Sequence, residues 1–155
     1  MGLLEQTEKS AVQRIHRDAP QAHVWRHVEL GRGVSKDRKN IGVAPEAIEV
    51  EIKKLCEDTE AQLKEKSRSI DEIAARFHHR LVYIHPFPNG NGRFARTMTD
   101  LLLVQHDSER FTWGAGDLNS DTSEVRKRYI SALRAADGRK YSELFAFVRD
   151  SQGHN

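Results

Sequence analysis

The chain has 155 residues, of which 37% are apolar and 31% charged, and its formal net charge is +2. This length suits one domain with a modest core, which we expect to cover residues 1–155, and so balanced a charge gives no reason to expect a nucleic-acid partner. The single cysteine excludes an internal disulfide, no apolar run approaches the roughly 18 residues of a membrane helix, and the start MGLLEQTEKS has no signal-peptide core. We therefore expect a cytoplasmic protein without a membrane partner.

The part of the chain before Pro45 predicts little regular structure apart from a β-hairpin. An irregular apolar stripe over residues 3–17 indicates a weak helix. HVWRHVEL is rich in β-branched and aromatic residues, GRGVSKDRKN is glycine-rich and basic, and IGV follows. Two short extended pieces around a loop predict a hairpin over about 24–43. Because no aromatic residues interleave the basic loop, we interpret the loop as solvated and not as a nucleic-acid site.

From Pro45 onward the sequence predicts helices. Pro45 suits the first position of a helix. Ser69 opens S-I-D-E, a capping box with Glu72, and the helix that follows should end at His85, because a residue before proline avoids the α region. A third helix should begin near Asn91 or Gly92. The apolar residues at helical spacing are Ile48, Ile52, Leu55, Thr59 and Leu63, then Ile70, Ile73, Phe77, Leu81 and Ile84, then Phe94, Met98, Leu101 and Leu102.

Two further helices are predicted after the loop FTWGAGDLNS. Asp121 with Glu124 forms a second candidate capping box, and Gly138 is a suitable stop for that helix. The expected apolar positions are Val125, Tyr129, Ala132, Leu133 and Ala136, then Tyr141, Leu144, Phe145 and Val148 in a short last helix. The fold class that follows is a mainly α, helical bundle with a small β-hairpin.

The segment HPFPNGNGRFAR, residues 85–96, joins the second and third helices. A helix start exposes unpaired N–H groups and a partial positive charge, and glycines let the backbone approach an anion. Arg93 and Arg96 are unfavourable in a first turn unless an anion, such as a polyphosphate, binds there. A plain turn, or a surface ion pair of Arg96 with Asp100, remains the structural alternative. GNGRFA also matches a dinucleotide fingerprint, but that motif must follow a strand, and here a helix precedes it.

His85 stands at the other end of this segment, within reach of a phosphate held there. Its pKa lies near working pH, so it is a candidate general base, although a structural histidine that closes a helix is the alternative. His78 and His79 suggest a metal site, but adjacent helical residues point in different directions, and no HxxxH or CxxC spacing is present. We therefore expect no zinc site.

HPFPNGNGRFAR resembles the signature of the Fic family, H-x-F-x-D/E-G-N-G-R-x-x-R, at every fixed position except Asn89. RFHHRLVYI and TMTDLLL look like the helices that bracket the Fic loop, and KNIGV, FTWGAG and RYISALRAADGRKYSELFAF resemble the branch called mobile mystery protein B. The resemblance covers about residues 24–149. It implies a helical Fic fold and transfer of AMP from ATP to a hydroxyl of a target protein.

The resemblance also implies roles for individual residues. His85 would deprotonate the target hydroxyl for attack on the α-phosphate, and Phe87 would pack beneath the loop. Tyr129 would lie near the adenine. Nucleotide binding would involve Asn89, Gly90, Asn91, Gly92, Arg93 and Arg96, with Gly90, Asn91 and Gly92 as the anion hole and the two arginines on the β- and γ-phosphates. The hairpin near Ile41, Gly42 and Val43 would be a flap that docks the target segment by strand-like pairing.

Asn89 is the one departure from the signature. In the family an acidic residue there binds the magnesium that bridges two phosphates, whereas Asn offers a single neutral oxygen. We therefore expect weak binding of Mg²⁺ or Mn²⁺ at Asn89 and slow transfer from ATP. The alternatives are transfer of a different group, either phosphoryl or another nucleotidyl, and nucleotide binding with little catalysis. The Doc branch, which transfers phosphoryl groups, resembles D-A-N-K, and the retained Gly92 and Arg93 argue against it.

Regulation is the remaining expectation from the family. Its inhibitory helix reads S/T-x-x-x-E-G/N, and residues 120–124 match only the first half, which helix capping explains better. Three alternatives are therefore left open: control by a small helix-turn-helix or antitoxin-like partner, control by oligomerisation, and no such control. The protein target and the preferred nucleotide do not follow from the sequence.

Overall fold

The computed structural model describes residues 42–87 and 89–152, and these residues are mainly α-helical. Short 3₁₀ turns lie at Pro45–Ala47 and Trp113–Ala115. The α-helices are α1 (Ile48–Glu65), α2 (Ile70–Ile84), α3 (Asn91–Gln105), α4 (Glu124–Asp137) and α5 (Ser142–Arg149). The predicted mainly α class is confirmed. The weak helix over 3–17 and all of the predicted hairpin except Gly42 and Val43 lie outside the described residues.

The chain divides into two compact units between Ser108 and Glu109. The first unit holds α1, α2 and α3, and the second holds α4 and α5. The prediction of a single domain over 1–155 stays a prediction. Among the described residues, no helix is both long enough and apolar enough to cross a membrane.

The first unit is built around α2, which packs against both α1 and α3. The Ser69 side chain accepts a hydrogen bond from the Glu72 N–H at 3.3 Å, so the predicted N-terminal cap of α2 is confirmed. Removing apolar surface from water is the main force that holds the three helices together. The buried core residues are Ile48, Ile52, Leu55, Cys56, Phe77, Leu81, Ile84, Ala95 and Met98.

Helix α3 begins at Asn91, as predicted, but its buried face differs from the predicted one. Leu103 is fully buried, whereas Leu101 and Leu102 are only half-buried. The buried positions Ala95, Thr99 and Leu103 are four residues apart and therefore lie on one face of α3. This face packs against the rest of the first unit, and its first two residues have small side chains. Periodicity alone could not separate three consecutive leucines.

The second unit corrects one helix boundary. Helix α4 is capped by Ser123, whose hydroxyl accepts a hydrogen bond from the Arg126 N–H at 3.3 Å, so the predicted Asp121–Glu124 capping box is wrong. The helix ends at Gly138, as expected. Gly114 has a φ of 74°, and a Cβ there would lie 2.6 Å from the Phe147 ring, so glycine is needed for both conformation and space.

Candidate functional site

His85 ends α2 in a strained backbone conformation. Its φ and ψ are 54° and 61°, in the left-handed region that non-glycine residues seldom adopt, and its N–H donates to the Leu81 carbonyl at 3.3 Å. Pro86 follows and is fully buried. The chain therefore turns sharply out of α2 and leaves the half-buried His85 at the turn. Lys66 ends α1 in the same left-handed conformation, so His85 is assigned to the site by its place in the motif as well as by its backbone.

Asn91 closes the loop that follows. Its side-chain Nδ2 donates to the Phe87 carbonyl at 2.6 Å, and its Oδ1 accepts from the Phe87 N–H at 2.8 Å. The residue is only 4% exposed. The side chain of Asn91 is therefore committed to the protein backbone, and its predicted part in an anion hole falls to its backbone N–H. The two hydrogen bonds tie the start of α3 to the backbone of Phe87.

The Phe87 ring packs against the hydrophobic core and so anchors the same loop. It packs edge-on against Phe94 with ring centroids 4.9 Å apart and lies against the core of the first unit. The predicted role of Phe87 as a core anchor is confirmed. Because Phe94 belongs to α3, this contact ties the loop to the helix that it precedes.

Gly90 begins α3 with a positive φ of 72° and provides no side-chain cap. The Phe94 N–H donates to the Gly90 carbonyl at 2.9 Å, and this is the first bond of the helix. The N–H groups of Asn91, Gly92 and Arg93 precede it and have no carbonyl partner within the helix. A Cβ on Gly90 would meet nothing within 4 Å, so glycine is required here by its conformation, and the surrounding space is open to a ligand.

The first turn of α3 contains no acidic residue and carries Arg93 instead. Arg93 is exposed, and Arg96 lies one turn further on and is half-buried. Both cations add to the positive end of the helix dipole, which favours an anion at this end. Asn89 lies exposed immediately before Gly90. The structure thus brings the predicted nucleotide-binding residues together on one loop and helix start, with His85 at the opposite end of that loop.

The chain that leaves the predicted flap lies beside α2. The Val43 N–H is 3.4 Å from the Ile84 carbonyl, the residue immediately before His85, and the Val43 side chain packs on the core. Gly42 has a φ of 87°. Ile41 lies outside the described residues. The C-terminal end of the predicted flap is therefore next to His85.

The described residues offer few ligands for a metal ion. No group of three or more His, Cys, Asp or Glu side chains in 42–87 and 89–152 is arranged to hold one. Asn89 contributes only an amide oxygen, and the first turn of α3 has no carboxylate. The described residues therefore do not fit a magnesium ion held by the protein itself.

Among the described residues of the first unit, the titratable side chains of Cys56, His78 and His79 are also buried. Burial, reinforced by nearby Glu60 and Glu57, raises the pKa of the Cys56 thiol to about 11, so it is not a reactive nucleophile. His78 is fully buried, and its sequence pattern suggested only a metal ligand.

Tyr129 lies in the second unit and is 3% exposed, with its ring 5.6 Å from that of Phe147. Its contact with adenine stays a prediction.

Comparison with known proteins identifies the family. Residues 6–103 match the family model described as Fic/DOC family. The chain belongs to the Fic/DOC family. Its assignment to the mobile mystery protein B branch stays a prediction. No solved structure matches the chain.

The relatives of this Fic/DOC chain include proteins named as adenylyltransferases. A probable protein adenylyltransferase of Aquifex aeolicus (strain VF5) is 37% identical over 73 residues, which are 47% of this chain and 20% of that protein. The protein adenylyltransferase fic-1 of Caenorhabditis briggsae is 35% identical over 115 residues, 73% of this chain and 20% of that protein. The protein adenylyltransferase Fic of Nematostella vectensis is 53% identical over 34 residues, 22% of this chain and 8% of that protein. The matched segments thus span a fifth or less of these relatives.

Proposed function

We propose that this protein is a protein adenylyltransferase that moves AMP from ATP to a hydroxyl side chain of a target protein. The observation that carries the proposal is the fixed loop between α2 and α3, which sets the strained His85 opposite an uncapped, arginine-bearing helix start. Family membership and the names of the relatives support the same reaction.

The proposed reaction uses His85 as the general base. His85 takes the proton from the target Ser, Thr or Tyr hydroxyl, and the oxygen attacks the α-phosphorus of ATP. A new oxygen–phosphorus bond forms, the bond from the α-phosphorus to the bridging oxygen breaks, and pyrophosphate leaves. The N–H groups of residues 90–92 and the guanidinium groups of Arg93 and Arg96 stabilise the negative charge on the phosphates.

The proposed site provides few ligands for a metal ion. Because the described residues do not supply the carboxylate that magnesium prefers, Mg²⁺ or Mn²⁺ would enter as the counter-ion of the nucleotide, with at most the Asn89 amide oxygen from the loop. We expect transfer to be slow for this reason. The same observation supports the second candidate, a nucleotide-binding protein that transfers a different group or has little catalytic activity.

The test separates these candidates by the position of the label. The protein is incubated with a cell lysate and either α- or γ-³²P-labelled ATP, with Mg²⁺ or Mn²⁺. AMP transfer labels a target protein from the α-label only, whereas label from γ-ATP indicates phosphoryl transfer. His85→Ala is the control, and equal labelling by the variant and the wild type would refute the role of His85. Mass spectrometry of the labelled band then identifies the target.

Restoring the carboxylate tests the account of Asn89. We expect Asn89→Asp to raise the transfer rate and to lower the Mg²⁺ concentration required, because a carboxylate adds a charged oxygen ligand. The measurement is a Mg²⁺ titration of α-label transfer for both proteins. Asn89→Ser, which adds no charge, is the control. An unchanged metal dependence in Asn89→Asp would contradict the interpretation of this position.

The target contact and the regulation are also proposals. A target segment would dock along the flap around Ile41, Gly42 and Val43, beside the end of α2. We further propose that control comes from a helix-turn-helix or antitoxin-like partner or from oligomerisation. Co-purification from the native cell, followed by mass spectrometry and size-exclusion chromatography, would identify such a partner or an oligomer.

A further inference from the structure

His78 links the helix that carries His85 to the helix that carries the arginines. It lies on α2, two turns before His85, and is fully buried. Its imidazole is hydrogen-bonded to the backbone of Ala95, which lies on α3 between Arg93 and Arg96. Ala95 is itself fully buried. One side chain therefore joins the two elements that form the proposed site.

The Ala95 carbonyl does not need His78 to be satisfied. The Thr99 hydroxyl, also fully buried, donates to that carbonyl at 2.7 Å, and the helical position of Thr99 supplies the backbone N–H as well. A buried polar side chain that only filled space could be replaced by an apolar one at little cost. The hydrogen bond from His78 is thus an addition to a carbonyl already paired, and its distinctive effect is to fix the relative position of α2 and α3.

The imidazole of His78 is uncharged at neutral pH. Burial lowers its pKa to about 3, and the charge of Arg96 contributes in the same direction. A neutral ring can lie near the Arg96 guanidinium without repelling it, whereas a cation such as lysine could not. Histidine therefore combines a hydrogen-bond donor, a rigid ring and no charge at a place close to a phosphate-binding cation.

We propose that His78 is a positioning residue, which holds the first turns of α3 against α2 so that Arg93 and Arg96 grip the nucleotide in register with His85. This inference rests on the proposed function, because it assumes that a nucleotide binds at the start of α3. His78 itself contacts no substrate in this proposal.

The test measures ATP binding and AMP transfer in His78 variants. We expect His78→Leu to weaken ATP binding about tenfold, the loss that one misplaced charged contact produces, while circular dichroism shows that the helices remain. His78→Gln keeps an uncharged side-chain donor, and we expect it to recover most of the affinity. Thr99→Val removes a bond within α3 and leaves the hydrogen bond of His78 to Ala95, so we expect it to keep the wild-type Kd of ATP.

Thr59→Val is the matched control. The Thr59 hydroxyl donates to the Leu55 carbonyl at 2.7 Å in α1, the same buried contact as that of Thr99 but on a helix without motif residues. We expect Thr59→Val to lower the melting temperature and leave the Kd of ATP unchanged. If His78→Leu folds and binds ATP with the wild-type Kd, the inference is overturned. If His78→Leu does not fold, a His78→Gln variant that folds but does not bind ATP overturns it.

The proposed function can fail separately. A wild-type protein that binds ATP but transfers no AMP would refute the adenylyltransferase proposal, and the Kd values of the variants would still decide the role of His78. A wild-type protein that transfers AMP, with equal Kd values in all variants, would refute the positioning role alone. A wild-type protein that binds no ATP would refute both.

Discussion

At the scale of single residues, two histidines of α2 and its end, His78 and His85, differ in how deeply they are buried. His78 and His85 lie two turns apart, yet His78 is fully buried and bonded to Ala95, whereas His85 is half-buried at a strained helix end. The signature motif made His85 predictable as a candidate base. His78 was not predictable as a positioning residue, because spacing indicates which face of a helix a residue occupies but not which carbonyl on another helix it meets.

The buried His78 predicts a pH dependence of stability. Its folded-state pKa of about 3 lies below the usual 6.5, so between these values the unfolded chain binds more protons than the folded protein. Its contribution is complete above pH 6.5 and is lost as pH falls, at a limiting rate of about 1.4 kcal/mol per pH unit. Urea denaturation between pH 7 and 5, where most carboxylates stay ionised, measures this slope. His78→Gln should show a shallower slope, and an equal one would contradict the assignment.

Asn91 and Asn89 are the same type of residue, but Asn91 is buried and Asn89 is exposed, so a substitution at Asn89 serves as the control for one at Asn91. Asn91→Ala removes both side-chain contacts with the Phe87 backbone, and leaving those groups unpaired should destabilise the protein by about 1–3 kcal/mol. Asn89→Ala makes the same change at an exposed position, so we expect a stability change within about 0.5 kcal/mol. Urea denaturation of the two variants measures the difference. Equal loss in both would show that the loop is not held by Asn91.

At the scale of elements, helix caps show what sequence patterns resolve. The S-I-D-E pattern predicted the start of α2 correctly, because Ser69, unlike Ser67, is followed by a glutamate three residues later. Before α4, both Asp121 and Ser123 are good N-caps, and it is Ser123 that has the extended backbone of an N-cap and accepts from the Arg126 N–H. Asp121 instead lies 3.0 Å from the Arg126 guanidinium, as an exposed ion pair. Local pattern placed this helix correctly but could not choose between two caps separated by one residue.

The corrected cap of α4 can be tested by paired substitutions. Ser123→Ala removes the acceptor for the Arg126 N–H, so we expect it to destabilise the protein by about 1 kcal/mol. Asp121→Ala removes only an exposed ion pair, which contributes little in water. Thermal unfolding of both variants measures the contrast. A larger loss in Asp121→Ala would favour the original capping-box prediction.

At the scale of the whole molecule, the sequence predicted the helical class and the site loop but not the division of the chain. Hydrophobic periodicity predicts each helix separately from its own residues. The boundary between the two compact units, after Ser108, depends on contacts between residues far apart in the sequence, which a local pattern does not contain. The net charge of +2 likewise gives no sign of an anion site. Within the described residues, the proposed nucleotide site takes its positive charge from the start of α3, Arg93 and Arg96, so nucleotide binding should depend on these groups and not on the overall charge.

This local origin of the field predicts how ATP should stabilise the protein. A ligand that binds only the folded state adds RT ln(1 + [L]/Kd), or about 2.7 kcal/mol at one hundred times Kd, and raises the melting temperature. Arg93→Ala removes an exposed cation of the first turn of α3, so we expect it to reduce this gain and to change the melting temperature without ATP only slightly. His85→Ala, which removes the base but no cation, should keep the gain. Thermal melts over a range of ATP concentrations measure both variants. Equal stabilisation of the wild type and Arg93→Ala would mean that the nucleotide binds elsewhere.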